Sequence, residues 1–287
     1  MSDTSPLRDA RAIKNFLLND VSMEVSSHDI SVVEKLRGLY APGTRVFVTF
    51  VPGSDYSDTV NVAIAVQKAG FRAVPHLAVR SLTSRTELTD FVSRVGAAGI
   101  DHLLLIGGDP PKQEGPFTAA VEVIRTGELA RHGIRHVALA GHPEGHPVMK
   151  ADEPIRVLAE KVAAAREHGL EPFIVTQFAF EAAPIAAWLK DVRDAGIDVP
   201  VRIGVAGPAS ITTLVKFAMR CGVGNSLRAL TKRPQSFGKL LTDNTPDELI
   251  ADLAQAFEGI DGPLPQLHLF PFGGAVKAGK WLAQLKS

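Results

Sequence analysis

Apolar runs of strand length recur along this chain, and each gap between them has room for one amphipathic helix. The strand-like runs fall at residues 21–25, 45–51, 71–79, 102–106, 135–140, 172–178, 199–205 and 267–270. Helical patterns cover 58–69, 84–98, part of 115–131, 152–168, 181–195, 210–220, 247–257 and 275–285. His102 is followed by four consecutive aliphatics, the pattern of a strand covered on both faces. Ser84-Arg85-Thr86-Glu87 has the spacing of a capping box and should open a helix. Roughly eight strand–helix units in this order predict a (β/α)8 TIM barrel, an α/β fold in one domain spanning residues 1–287. An open doubly wound sheet ranks second, because no glycine fingerprint follows the first strand. Residues 222–245 are the least regular stretch and read as a long strand-to-helix excursion near the site.

Composition narrows what such a barrel does. Lys and Arg number 31, as do Asp and Glu, so no basic excess favours nucleic acid or an anionic membrane surface. Aromatics are sparse, at 6%, which weakens a single-stranded nucleic-acid reading that needs stacking platforms. Cys221 is the only cysteine, which rules out an intramolecular disulfide and a cysteine-based zinc site. The first residues carry no basic-then-apolar leader, and no apolar run reaches membrane-spanning length, so a cytoplasmic protein is expected.

Four strings place polar groups just past apolar runs: Ser22-Met23-Glu24-Val25, Leu105-Ile106-Gly107-Gly108-Asp109, His142-Pro143-Glu144-Gly145-His146 and Val175-Thr176-Gln177-Phe178. The ends of parallel barrel strands are where chemistry is done, so four such strings imply one site assembled from distant segments. Glu24, between Met23 and Val25, must have its charge met by a partner or keep its proton. It is therefore either a structural carboxylate or a proton donor. Gly107 and Gly108 let the backbone approach a ligand closely, and Asp109 follows them as a functional or a turn aspartate. Gln177 offers both donor and acceptor, which suits a heterocycle with mixed edges.

Three other patterns read as decoys. Gly274 to Lys280 matches the start of a phosphate loop, but Trp281 stands where Ser or Thr should hold magnesium. Gly222-Val223-Gly224 follows a helix and reads as its C-terminal turn. His142 and His146 have zinc-ligand spacing for a helix, but Pro143 and Pro147 break that helix, so no metal is expected.

Taken together, the strings resemble the methylenetetrahydrofolate reductase family, over nearly the whole chain. Its strand-end motifs appear in order here as Glu24, Val48-Thr49-Phe50, Pro75-His76-Leu77, Gly107-Gly108-Asp109-Pro110, His142-Pro143-Glu144-Gly145-His146-Pro147 and Thr176-Gln177-Phe178. The resemblance implies a TIM barrel that binds FAD. The flavin takes hydride from NADH or NADPH and passes it to 5,10-methylenetetrahydrofolate, giving 5-methyltetrahydrofolate. By the same resemblance Glu24 helps protonate the folate so that its ring opens to an iminium. Asp109 lies between flavin and folate, and Gln177 contacts the folate. Thr49, His76, Gly107, Gly108, His142, His146 and Lys161 fall at cofactor-contacting positions. A homo-oligomer is a further expected partner state.

This chain departs from the family pattern at particular positions. Val25-Ser26-Ser27 follows Glu24 in place of Phe-Phe-Pro-Pro, His142 replaces a tyrosine, and Gly107 stands where the family has an arginine. Phosphate charge would then need Arg80, Lys150 or Arg156, with no choice among them from sequence. Two alternatives remain: a folate-binding barrel that has lost flavin and redox function, and an unrelated metal hydrolase using His142 and His146.

Overall fold

The computed structural model describes residues 9–108, 113–146, 148–150, 153–223 and 243–286. Eight parallel strands close into a barrel: β1 (Ser22–Ser26), β2 (Arg45–Thr49), β3 (Arg72–Ala78), β4 (His102–Ile106), β5 (His136–Gly141), β6 (Glu171–Phe178), β7 (Val201–Ala206) and β8 (Gln266–Phe270). Each strand pairs with its sequence neighbours, and β8 returns to β1, the order a (β/α)8 chain must adopt. A two-residue antiparallel pairing of Ala209–Ser210 with Asp243–Asn244 lies outside the barrel.

Helix starts follow local chemistry. Ser84 Oγ accepts from the Glu87 amide at 3.1 Å, so the predicted cap opens the helix Arg85–Ala97. Asp55 caps Tyr56–Lys68 and Ser210 caps Ile211–Arg220 in the same way. Gly222, with φ +70°, turns the chain out of the latter helix, as its sequence suggested. Gly279 sits inside the helix Ala275–Lys286, where an added Cβ would lie 2.8 Å from Tyr40, so the phosphate-loop look-alike is a helix packed on a wall. A count of strand–helix units passes over the helix Ala10–Asn19, which precedes β1, is capped by Asp9 and buries Ile13, Leu17 and Leu18.

Phe47, Val74, Leu104, Ala138, Phe173 and Val175 fill the barrel interior, so the lumen is packed and the site must lie above it. Below them, at the N-terminal end, Asp20 accepts from Arg202 at 2.5 Å and Arg45 at 2.8 Å, tying the β1, β2 and β7 entrances together. Burial, then the Arg45 charge, pushes Arg202 down to about 10. His102, at the same end, bonds through Nδ1 to Asp101 at 2.6 Å. Among the described residues no helix is long and apolar enough to cross a membrane.

Candidate active site

The inward face of β1 meets β8 and β3 at the upper end of the lumen, and three side chains converge there. His268 Nε2 lies 3.3 Å from Glu24 Oε1, and His76 Nε2 lies 3.6 Å from the same oxygen. The Glu24 side chain is 13% exposed and that of His268 fully buried, so the carboxyl faces imidazoles more than water. Phe47 from β2 packs edge-on against both rings, 4.5 Å from His268 and 6.1 Å from His76, and holds them upright. Behind His268, Ser22 Oγ lies 2.9 Å from Nδ1 and also donates to the Leu267 carbonyl at 3.4 Å.

That chain of contacts accommodates Glu24 in either protonation state. With a proton on Nδ1, His268 donates to Ser22 and its bare Nε2 accepts from a protonated Glu24. With Ser22 donating to Nδ1 instead, Nε2–H donates to an ionised Glu24. His76 behaves differently. Burial pushes it down to about 4, with Glu24 opposing and His268 reinforcing the shift. It is a neutral ring near neutral pH, and its Nε2 has no hydrogen-bond partner. A buried nitrogen left this way calls for a ligand group.

A cavity of about 630 Å³ opens beside Glu24, with Thr49, Phe217, Phe272, Lys277 and Lys280 in its wall. Phe217 stacks on Phe272 at 4.1 Å and 15°, and Phe178 meets Phe272 edge-on at 4.9 Å. Phe217 and Phe272 thus put aromatic surface on the cavity, and the buried Phe178 supports Phe272 from behind. Gln177 enters from β6 through a break in register: the β6–β7 pairing shifts between Val175 and Phe178. Gly204 makes room for it, since a Cβ there would lie 2.5 Å from the Thr176 carbonyl oxygen and 2.9 Å from Gln177 C. Bulges of this kind re-aim side chains beside active sites. Here Gln177 Oε1 accepts from the Phe178 amide at 3.1 Å.

On the β3–β5 side, Gly107 and Gly108 follow β4, and Gly108 has φ +82°. His142 follows β5, its ring edge-on to His146 at 4.7 Å. Burial, then His146 and Lys161, pushes His142 down to about 4. Lys161, on the helix Glu153–Glu167, is depressed by burial and by the Arg80 charge, against a smaller opposing effect of Glu160. The site residues named from sequence thus fall into two groups: Glu24, Thr49 and His76 near β1–β3, and His142, His146 and Lys161 near β5. Asp109 lies outside the described residues. Sequence reasoning missed Ser22, His268 and the phenylalanine wall. The available signal for His268 was a lone histidine between Leu267 and Leu269, the same apolar framing that singled out Glu24.

Comparisons with known proteins bear on the family and the fold. A family profile described as Methylenetetrahydrofolate reductase matches residues 30–228. Methylenetetrahydrofolate reductase 2 of Saccharomyces cerevisiae is 27% identical over 203 residues, covering 67% of this chain and 32% of that protein. The 5,10-methylenetetrahydrofolate reductase of Pectobacterium carotovorum subsp. carotovorum is 26% identical over 182 residues, covering 62% of this chain and 58% of the relative. The chain therefore spans about a third of the yeast relative and somewhat over half of the bacterial one. An uncharacterized protein from Clostridium thermocellum that binds two copies of 5-methyl-5,6,7,8-tetrahydrofolic acid superposes with TM-score 0.62 at 13% identity, covering 96% of this chain and 99% of that one. With the profile matching well over half of its residues, the chain belongs to the methylenetetrahydrofolate reductase family.

Proposed function

We propose that this protein reduces 5,10-methylenetetrahydrofolate to 5-methyltetrahydrofolate, with FAD as cofactor and NADH or NADPH as electron donor. The observation that carries the reading is Glu24, a nearly buried carboxyl bonded to His268 and 3.6 Å from the unpartnered His76 nitrogen, beside a cavity with phenylalanines in its wall. Reduction requires the imidazolidine ring of the folate to open, and opening requires a proton on its departing nitrogen. Glu24 supplies that proton; the C–N bond breaks and an iminium carbon is left to accept hydride. His268, held by Ser22, hydrogen-bonds the carboxylate left behind, and a proton from solvent restores the acid through the 13% of the Glu24 side chain that stays exposed. Phe217 and Phe272 offer the pterin an apolar surface, Gln177 contacts the folate, and the role of Asp109 rests on the family resemblance alone.

The donor set on the β3–β5 side fits an anionic dinucleotide. Lys161 has no hydrogen bond or ion pair among the described residues, and a part-buried ammonium in that state calls for an anion. Thr49, His76, Gly107, Gly108, His142, His146 and Lys161 would hold the flavin. A flavin held there would supply the hydride transfer between nicotinamide and folate. A cytoplasmic location accompanies this reading.

A second reading draws support from the Clostridium thermocellum neighbour, which binds a methylated folate: a barrel that binds folate without redox chemistry. The absorbance spectrum separates the two. A purified protein that is yellow, bleaches anaerobically with NADH or NADPH, and regains colour on adding methylenetetrahydrofolate supports the reductase. A protein that binds folate but neither retains nor takes up flavin overturns it in favour of the second reading.

A further inference from the structure

Gly107 occupies the position of a family arginine, yet the space above it holds a guanidinium from another strand. A Cβ built on Gly107 would lie 3.4 Å from Nη2 of Arg80 and 3.5 Å from its Cζ. Arg80 follows β3, and its backbone amide donates to the Gly107 carbonyl at 3.1 Å, so the two strand ends are clipped together. Its Nε donates to the Thr118 carbonyl at 2.9 Å and its Nη1 to the Gly108 carbonyl at 3.4 Å. Those two bonds fix the plane of the guanidinium and leave the Nη2 side without a partner among the described residues. No carboxylate among the described residues pairs with Arg80. Lys161, which also lacks a partner among them, lies within its electrostatic reach. The left-handed glycine of this turn is Gly108 and not Gly107, so Gly107 serves to make room and not to allow an unusual backbone angle.

We infer that the guanidinium has moved from the end of β4 to the end of β3 in this chain, and that Arg80 and Lys161 together seat the diphosphate of a dinucleotide cofactor. The inference rests on the dinucleotide-dependent reading above. A planar guanidinium with a free edge, within electrostatic reach of an unpaired ammonium, matches two linked phosphates, the fork binding one and the point charge the other. The same arrangement accounts for the loss of the family arginine: a side chain at position 107 would start 3.4 Å from Arg80 Nη2, and a second guanidinium there would add like charge beside Arg80.

Calorimetric titration of the full-length protein with FAD, riboflavin, NADH and ADP tests the seat without measuring turnover. Arg80→Gln and Lys161→Met should each weaken FAD and ADP about 10- to 100-fold, the size expected for losing a charge-assisted contact. Riboflavin, which carries no phosphate, should bind as it does to the wild type. Arg80→Ala combined with Gly107→Arg should recover most of the FAD affinity lost in Arg80→Ala alone. Weakening confined to NADH would assign the seat to the nicotinamide dinucleotide, and weakening of FAD would assign it to the flavin. If Arg80→Gln does not fold, Lys161→Met decides, since that side chain makes no structural bond among the described residues. Wild-type affinity of Lys161→Met and Arg80→Gln for all four ligands would overturn the inference. A wild type that binds ADP but no flavin would overturn the flavin reading while the seat is judged on ADP alone.

Discussion

Replacing His268 by phenylalanine removes two polar contacts and keeps the packing. The new ring would still fill the space between Phe47 and Phe270, which lie 4.5 Å and 4.9 Å from the histidine ring. What disappears is the 2.9 Å contact to Ser22 and the 3.3 Å contact to Glu24. Each hydrogen bond contributes about 0.5–1.5 kcal/mol net, and a buried acceptor left unpaired adds about 1–3 kcal/mol. Ser22 keeps the Leu267 carbonyl and Glu24 keeps some exposure, so the total should fall near 2–4 kcal/mol. For a chain of this size that lowers Tm by roughly 4–8 °C. Anaerobic stopped-flow spectroscopy divides the chemistry. Flavin reduction by NADH should be unchanged. Re-oxidation by methylenetetrahydrofolate should slow about 10- to 100-fold, and its pH profile should shift because Glu24 has lost its proton partner. His268→Gln, whose amide can bond Glu24, should regain part of the rate. Folate reduction by His268→Phe at the wild-type rate with an unaltered pH profile would show that Glu24 works without the relay.

Three further outcomes are expected. Glu24→Gln should leave flavin reduction intact and slow the folate half-reaction by about 10²–10⁴-fold, because an amide has no acid proton to give; an unimpaired rate would reassign Glu24 to structure. Gly204→Ala places a methyl 2.5 Å from the Thr176 carbonyl oxygen and 2.7 Å from Phe270, so it should cost about 1–3 kcal/mol by overpacking and weaken folate binding by moving Gln177; thermal melts and folate titration check both. Burial holds His76 and His102 at about 4 in the folded protein against about 6.5 unfolded, so the unfolded chain binds more protons between those values. Stability should therefore fall as pH drops from about 6.5 to 4, by at most about 3 kcal/mol per histidine. Urea denaturation across that range should show the slope, and His102→Gln should flatten it.

The barrel was legible because both its strands and its helices are amphipathic or apolar over their full lengths. The helix Ala10–Asn19 carries its own signals, the Asp9 cap and the spacing of Ile13, Leu17 and Leu18, but it precedes β1 and falls outside a count of strand–helix units. Glu24 stood out as a charge in an apolar strand, a setting that demands explanation in any fold. His268 did not, because a neutral ring between leucines satisfies itself in most cores, and only the register Ser22↔His268 shows what it faces. Arg80 was one of three cations with nothing to choose among them. Its selection needed the crossover of two loops that sequence spacing does not encode.

The relay also lies on the closing seam of the barrel. β1 and β8 share two register pairs, Ser22↔His268 and Met23↔Leu269, and Ser22, Glu24 and His268 cluster around them. Residues 244 positions apart must meet before Glu24 has its partner. The first strand thus carries an unanswered carboxyl through most of synthesis and folding, until the last strand docks and completes the cylinder and the acid together. If Glu24 is the acid proposed above, any event that parts the β1–β8 seam removes its His268 contact even where the other strand pairs hold.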